Sequence, residues 1–490
     1  MSVEMLNETT EANTLPIQVQ AILGPAGSGK SYRIREELKK NPKYAILAAT
    51  TGVAAVNLGN GVVTIHSLLK FFNTESLRTQ HEGGWVEKRF ISIAKRGFKN
   101  VVIDEISMLE AEALQIIFEA ACAAGEKIRE RQREGSTAYE NVEPVGLILT
   151  GDFLQLPPIA KFGTAPKYAF YAECWKEFSK NLVRLNTQYR QEPGPLLEAL
   201  TEARVGNGAQ AAAILHNAGV KFFTHPEKTF PGVTLFATNA QVDKYNAERL
   251  EELEGQEYKF TAKRWGTPAK EWDNIPDTLI VKPGARVMVL VNCPITFEYV
   301  NGDVGEVLEA GSRKASFSER REGKGTIQVH IEDGYLPVRI TRMSGYTWHG
   351  ALGMVVRQNY KTETNNVRAV DWNGPDYDPD DAEFWKAYAV YTEKHTMKGI
   401  PYFDPVVGMW VVGEIQYMPV RLGYAITVHK SQGLTLDSVQ IDARPLPAGA
   451  PGLMYVAMSR VRDIKGLAVI GNAKTLASRI KATVEAKRYA

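Results

Sequence analysis

Eight consecutive residues, Gly24, Pro25, Ala26, Gly27, Ser28, Gly29, Lys30 and Ser31, have the types and order needed to cradle a chain of phosphates. They fit G-x-x-x-x-G-K-[ST], in which the glycines let the backbone turn tightly so that several N–H groups converge on one phosphate. Lys30 would neutralise the β- and γ-phosphates, and the Ser31 hydroxyl would hold Mg²⁺. Such a loop needs a strand before it and a helix after it, whose positive end adds to the field on the anion. Both are legible: Ile17 to Leu23 is an apolar run, and Lys30 to Leu38 has helical spacing. A glycine-rich turn with no ligand would not require those flanks.

Two further apolar runs end in polar groups suited to the same ligand. The run from Asn100 to Ile103 ends in Asp104 and Glu105, one carboxylate placed to bind Mg²⁺ through water and the other to polarise an attacking water. The run from Val145 to Leu149 leads to Gly151, Asp152 and Gln155, where an open parallel sheet exposes its ligand edge. Gln155 would sense the γ-phosphate; a Gly-Asp turn closing a strand accounts for Gly151 and Asp152 but not for Gln155.

The elements that position these groups follow a strand, turn and helix rhythm. Tyr44 to Ala49 reads as a strand and Thr50 to Leu58 as a small-residue turn and helix, the pattern of a parallel α/β sheet. Taken alone, Thr50 or Thr51 reads as a helix cap and His66 as a buried residue. Residues 69–99 break the rhythm with Phe71, Phe72, His81, Gly83, Gly84 and Trp85, and are expected to form a small hairpin. Its aromatics would either separate the strands of a duplex or cover the hairpin's own core. A helix from Leu109 to Ala123 is expected to run into a solvated, charged extension and loop over 126–143. Residues 195–216 read as a helical connection, and Val233 to Asn239 starts a second α/β unit whose helix continues to about Leu253. Asn301-Gly302 reads as a hairpin turn. Trp348, Trp372, Trp385 and Trp410 suggest a separate small core between 308 and 415.

Bulk properties set wide bounds. A chain of 490 residues exceeds one core and is expected to form roughly two to four domains. A formal net charge of +2 leaves any polynucleotide contact to a local groove. Cys122, Cys174 and Cys293 are too far apart for a zinc cluster or a disulfide framework. No apolar segment approaches the roughly 18 residues that span a bilayer. Glu4, Glu8 and Glu11 do not suit a leader peptide. The expectation is a soluble protein of a reducing compartment, the bacterial cytoplasm or that of a phage host.

The strings GPAGSGKS, ATTGVAA, TIHS, VVIDE and LTGDFLQLPP resemble motifs I, Ia, Ib, II and III of superfamily 1 helicases. GDFLQLPP together with TIHS is similar to the superfamily 1B group that includes RecD, phage Dda and Pif-type enzymes. LNTQYRQ at 185–191, HKSQG at 429–433 and YVAMSRV at 455–461 resemble motifs IV, V and VI. The resemblance implies an α/β fold of two RecA-like lobes, a small hairpin insertion in the first and an SH3-like β insertion in the second. Residues 1–68 and 100–190 would form lobe 1A, 69–99 a pin-like insertion 1B, 191–307 and 416–490 lobe 2A, and 308–415 insertion 2B.

The implied activity is ATP-dependent, 5′-to-3′ DNA unwinding in replication, recombination or repair, with ATP and Mg²⁺ as cofactors. Lys30, Ser31, Asp104, Glu105 and Gln155 would come from the first lobe, and Arg190 and Arg460 from the second as arginine fingers. Tyr189 would lie near the adenine, and Gly433 close to phosphate. Thr51, Thr64, His66, His429 and Lys430 would touch the strand, with Phe71 and Phe72 on the pin. The implied partners are single-stranded DNA and single-strand/duplex junctions, with a single-strand-binding protein or replisome component as candidate protein partners and a monomer as the expected state. An RNA helicase or ribonucleoprotein remodeller, and a nucleotide-driven clamp that does not unwind, share most of these features. One departure stands out: the group carries an adenine-reading glutamine on a helix upstream of the P-loop, whereas Gln18 and Gln20 lie within the first strand. That departure leaves the strictness of the preference for ATP over other nucleoside triphosphates open.

Overall fold

Short apolar runs that end in small residues and pass into helices build two parallel sheets. The structure is a computed structural model that describes residues 15–489 other than 52–53, 56–57, 59–61, 159–164, 269–271, 273–274, 292–298, 300–301, 310–313, 318–324, 329–333, 342–346, 362–381, 400, 405–408 and 445–450. The first sheet contains β1 (Val19–Leu23), β2 (Ile46–Ala49), β3 (Val63–Thr64), β4 (Asn100–Asp104), β5 (Gly146–Gly151) and β6 (Leu182–Arg184). Their order is β3-β2-β4-β5-β1-β6, all parallel. β5 is buried along its whole length, which is why it is a continuous apolar run and does not alternate. The P-loop leaves the carboxyl end of β1, and Asp104 and Gly151 close β4 and β5 beside it.

The second sheet is also parallel, in the order Ala425–Thr427, Val233–Phe236, Val439–Asp442, Leu467–Ile470, Lys221–Phe223. Around the first sheet, α1 (Lys30–Lys40) follows the P-loop and α4 (Ala111–Arg133) keeps its helical course well into the charged stretch. The helical connection between lobes is α5 (Pro195–Arg204) and α6 (Gly208–Asn217).

Residues 69–99 are not a hairpin. They form α2 (Thr74–Glu82) and α3 (Trp85–Lys95), separated by Gly83 and Gly84. Asn73 and Ser76 make a reciprocal capping box at the start of α2, and α3 buries Val86, Phe90, Ile93 and Ala94 at helical spacing. Aromatic content suggested β-structure, but the caps and the three-and-four spacing decide for helices.

The chain divides into two compact units, Met1–Val242 with Ala425–Ala490, and Asp243–Tyr424. This moves the expected boundary of insertion 2B at 308 back to 243. Arg286–Val289 and Val304–Val307, expected in lobe 2A, pair antiparallel with each other and extend through Tyr335–Thr341 to Thr347–Gly353, with Val420–Leu422 on the other side. They share the core of Val287, Val289, Val307, Val338 and Ile340, so hydrogen bonds and packing both assign them to the second unit. Those two strands are joined by more than a two-residue turn, and Asn301 lies outside the described residues. The tryptophans do not make one core: Trp348 packs on the five-stranded sheet, Trp410 faces Phe403 at 5.5 Å on another, Trp385 is exposed, and Trp372 lies outside the described residues.

The carboxyl-terminal segment also departs from its expected place in lobe 2A. Thr483 bonds to Tyr168 at 2.7 Å, and Tyr489 packs on Phe153, Phe170 and Trp175, all from the first lobe. Among the described residues, no helix is long and apolar enough to cross a membrane.

Candidate functional site

Gly29 ends the P-loop in the left-handed region and α1 starts at Lys30, so the loop amides and the helix terminus open on the same space. The Lys30 ammonium donates to the carbonyls of Gly24 and Pro25, at 2.8 and 2.9 Å. Burial pushes its pKa down, against the opposing charges of Asp152, Glu105 and Asp104. Ser28 is buried with its hydroxyl unpartnered among the described residues. A cation bonded to its own loop beside an unused hydroxyl is the arrangement that a polyphosphate would complete. The Ser31 hydroxyl donates to Asp104 at 3.3 Å, and Thr150 donates to the other carboxylate oxygen of Asp104. Ser31 and Asp104 thus form an oxygen pair suited to a hard divalent cation that also binds phosphate.

Glu105 has φ 56°, a left-handed conformation rare for a residue with a side chain. Thr50 fixes it by donating to the Glu105 carbonyl at 2.9 Å, and Gln432 donates to its carboxylate at 3.3 Å from the HKSQG segment. Burial, then the charge of Asp104, raises the Glu105 pKa, while Lys30 and Arg460 oppose the rise. A carboxylate held this way is a stronger base than a solvated one. Gln155 is buried at the end of the same sheet.

Arg190 does not come from the second lobe. After β6 the chain runs back across the P-loop: the Tyr189 amide donates to the Gly27 carbonyl at 2.8 Å, and a Cβ on Gly27 would lie 2.5 Å from Cβ of Arg190. With φ +80° as well, position 27 admits only glycine if Arg190 is to stay in place. Arg190 reaches the Ser459 carbonyl at 3.4 Å, and Gln191 donates to the Val461 carbonyl at 2.9 Å, so motif IV bridges to motif VI. Tyr189 is 75% exposed over Gly29, an open face for a flat ligand. Arg460 is 1% exposed; its guanidinium donates to the carbonyls of Val456, Leu434 and Ser431 and to the Ser459 hydroxyl. Burial pushes its pKa down to about 9.

The family model for PIF1-like helicase matches residues 7–202. The chain is 27% identical over 92% of its length to the ATP-dependent DNA helicase Pif1 of Bdellovibrio bacteriovorus, covering 83% of that protein. It is 26% identical to the Psychrobacter protein of the same name and 25% to human PIF1, spanning 65% and 57% of their lengths. The chain is similar to the PIF1-like helicases, by the family model over its first lobe and at 25–27% identity over nearly all of its length. The crystal structure of Pif1 helicase from Candida albicans has the same fold, with a TM-score of 0.62 at 22% identity over 97% of this chain and 95% of that one. Bacteroides Pif1 bound to ssDNA gives 0.54 at 22% identity over 94% and 90%.

The strand-facing candidates divide by what the structure makes of them. Thr51 and Thr64 are helix caps: their hydroxyls accept from the amides of Ala54 and Ser67. His66 is half-buried with its ring 4.4 Å from that of Phe71. His429 is exposed and Lys430 half-buried on the short helix Val428–Ser431, and Gly433 turns the chain after it with φ 81°. Phe71 is only 3% exposed and is a core residue, which removes it from the pin; Phe72 is 69% exposed. Phe71→Ala is expected to lower unfolding stability by about 3–5 kcal/mol, and Phe72→Ala by less than about 0.5 kcal/mol. Chemical denaturation of the two variants checks this, and equal losses would contradict it.

Three site residues escaped the sequence. Asp152, marked as a ligand-edge group, is saturated by Arg204, whose Nε and Nη2 both donate to it at 2.9–3.2 Å. Tyr455 donates to the same carboxylate at 3.2 Å and accepts from the Ala26 amide at 2.9 Å. Gln432 and Tyr455 were visible inside HKSQG and YVAMSRV, whereas nothing around Arg204 marks it. Its ion pair with Asp152 is fully buried on the Asp152 side. Arg204→Ala would strand that carboxylate and is expected to cost about 3–5 kcal/mol, read as a lowered denaturation midpoint; an unchanged midpoint would show the pair to be inessential.

Proposed function

We propose that this chain is an ATP- and Mg²⁺-dependent DNA helicase that moves 5′ to 3′ along one strand and opens single-strand/duplex junctions. The observation that carries this reading is the meeting of Lys30, Asp104 and Glu105 with Arg190 and Arg460, so that a triphosphate on the P-loop would face cations of motifs IV and VI. Ser31 and Asp104 would hold Mg²⁺, which supplies charge neutralisation to the phosphates. Glu105 orients and deprotonates the attacking water, and Gln155 reads whether a γ-phosphate is present.

Charge on the γ-phosphate exists before hydrolysis and is dispersed afterwards, so the two arginines favour a closed arrangement only with triphosphate bound. Gln432 ties this cycle to the strand side, because it bonds Glu105 and follows His429 and Lys430 closely in the chain. Exposed Phe72, just before the first 1B helix, and Trp85, at the start of the second, are the candidates for parting the duplex. DNA as the track is supported by the structural relative from Bacteroides, a Pif1 bound to ssDNA.

The deciding experiment is ATP hydrolysis with and without single-stranded DNA or matched RNA, together with unwinding of duplexes carrying a 5′ or a 3′ tail. Stimulation by DNA and unwinding only from the 5′ tail is expected. Stimulation without unwinding would make the protein a clamp, and stimulation by RNA alone would move it to RNA.

A further inference from the structure

A buried hydroxyl joins three motifs in a way the hydrolysis reaction alone does not require. Tyr455 lies on the helix Leu453–Met458 of the second lobe and is 2% exposed. Its oxygen accepts from the P-loop amide of Ala26 and donates to Asp152, the motif III carboxylate that Arg204 neutralises. Asp152 also accepts from the Leu154 amide at 3.2 Å, so it cannot turn towards another partner without losing bonds. Burial, and next the Asp152 charge, push the phenol pKa up, which keeps the hydroxyl protonated and able to donate.

The start of the same helix is pressed on motif III. Gly452 has φ +75°, and a Cβ there would lie 2.3 Å from the Gln155 carbonyl. Arg460 is tied back to this helix through the Val456 carbonyl at 2.8 Å. Phenylalanine would fill the same space as Tyr455 but would leave the Ala26 amide and one Asp152 contact unmade.

We infer that Tyr455 is a positioning residue for ATP hydrolysis: its hydroxyl, oriented by the Asp152–Arg204 pair, sets the spacing between the P-loop and the motif VI helix and so fixes where Arg460 stands relative to the γ-phosphate. This rests on the proposed ATPase. Tyr455 touches no reacting atom; it acts through the elements it holds.

The test is Tyr455→Phe in the full chain, with steady-state ATP hydrolysis on saturating single-stranded DNA and activity normalised to the folded fraction by circular dichroism. A hydrogen bond to a charged group corresponds to about tenfold or more in an equilibrium or rate. The expected result is a fall in kcat of about tenfold with KM for ATP changed by less than about threefold. Gly452→Ala attacks the same spacing from the motif III side and should give the same split. A purely structural role would lower the melting temperature and leave kcat per folded molecule unchanged. Either that result or a raised KM with kcat retained would overturn the inference. If the wild-type chain hydrolyses no ATP, the ATPase reading fails; if it does and Tyr455→Phe keeps its kcat, only the positioning role fails.

Discussion

Replacing Lys30 by alanine is expected to lower DNA-stimulated ATP turnover by about a hundred- to a thousandfold, the range for removing one preorganised group that stabilises developing charge. The ammonium lies inside the loop, bonded to the carbonyls of Gly24 and Pro25, and would exchange those two acceptors for phosphate oxygens. That exchange is favourable because burial has weakened its hold on the proton, and an anion restores it. Lys30 donates to its own loop, so equilibrium binding of a single-stranded oligonucleotide should stay within about threefold of wild type. Phosphate release and fluorescence anisotropy separate the two effects. Turnover equal to wild type would remove the P-loop from the mechanism, and strand binding lost in parallel would show that Lys30 holds the fold together.

The sequence made the first lobe legible because its chemistry sits at the ends of apolar strands. Gly24–Ser31, Asp104 and Glu105, and Gly151 to Gln155 each follow a run that can be buried on both faces, and the structure brings all three to one edge of one sheet. The 1B insertion was misread because Phe71, Phe72 and Trp85 suggest β-structure by type, whereas the Asn73–Ser76 capping box and the spacing of Val86, Phe90 and Ala94 specify helices. Phe71 shows how residue type misleads about exposure: an aromatic pair in sequence became one core residue and one surface residue. The boundary of the second unit was out of reach for a different reason. Arg286–Val289 and Val304–Val307 look like small strands of any sheet, and only long-range pairing with Tyr335–Thr341 and Val420–Leu422 assigns them. Arg204 was invisible because its importance comes from a partner 52 residues away in the chain, on another element.

Arg190 and Arg460 were equivalent in the sequence, each an arginine in a motif that reaches for phosphate, and the structure makes them different. Arg190→Ala is expected to lower kcat by about a thousandfold or more, as for loss of an arginine finger, while leaving unfolding stability within about 1 kcal/mol. Its bond to the Ser459 carbonyl is long, at 3.4 Å, and burial pushes its pKa down, a desolvation cost that a bound anion would offset. Arg460→Ala should lose a similar factor in kcat and should also lower stability by roughly 3 kcal/mol or more, because it removes the bonds its buried guanidinium donates to three carbonyls and the Ser459 hydroxyl, and a hydrogen bond from a charged donor contributes about 1.5–3 kcal/mol. Those carbonyls belong to Ser431 and Leu434 on either side of Gln432 and to Val456 in the motif VI helix, so Arg460 is the pin that joins motif V to motif VI. Arg460→Lys tests the distinction further: one ammonium cannot span acceptors spread over both segments as a planar guanidinium does, so charge alone should not restore stability. Thermal melting beside ATPase assays of the three variants decides the matter. If Arg460→Ala melts with the wild type, its carbonyl contacts do not hold the motifs together, and both arginines act on the nucleotide alone.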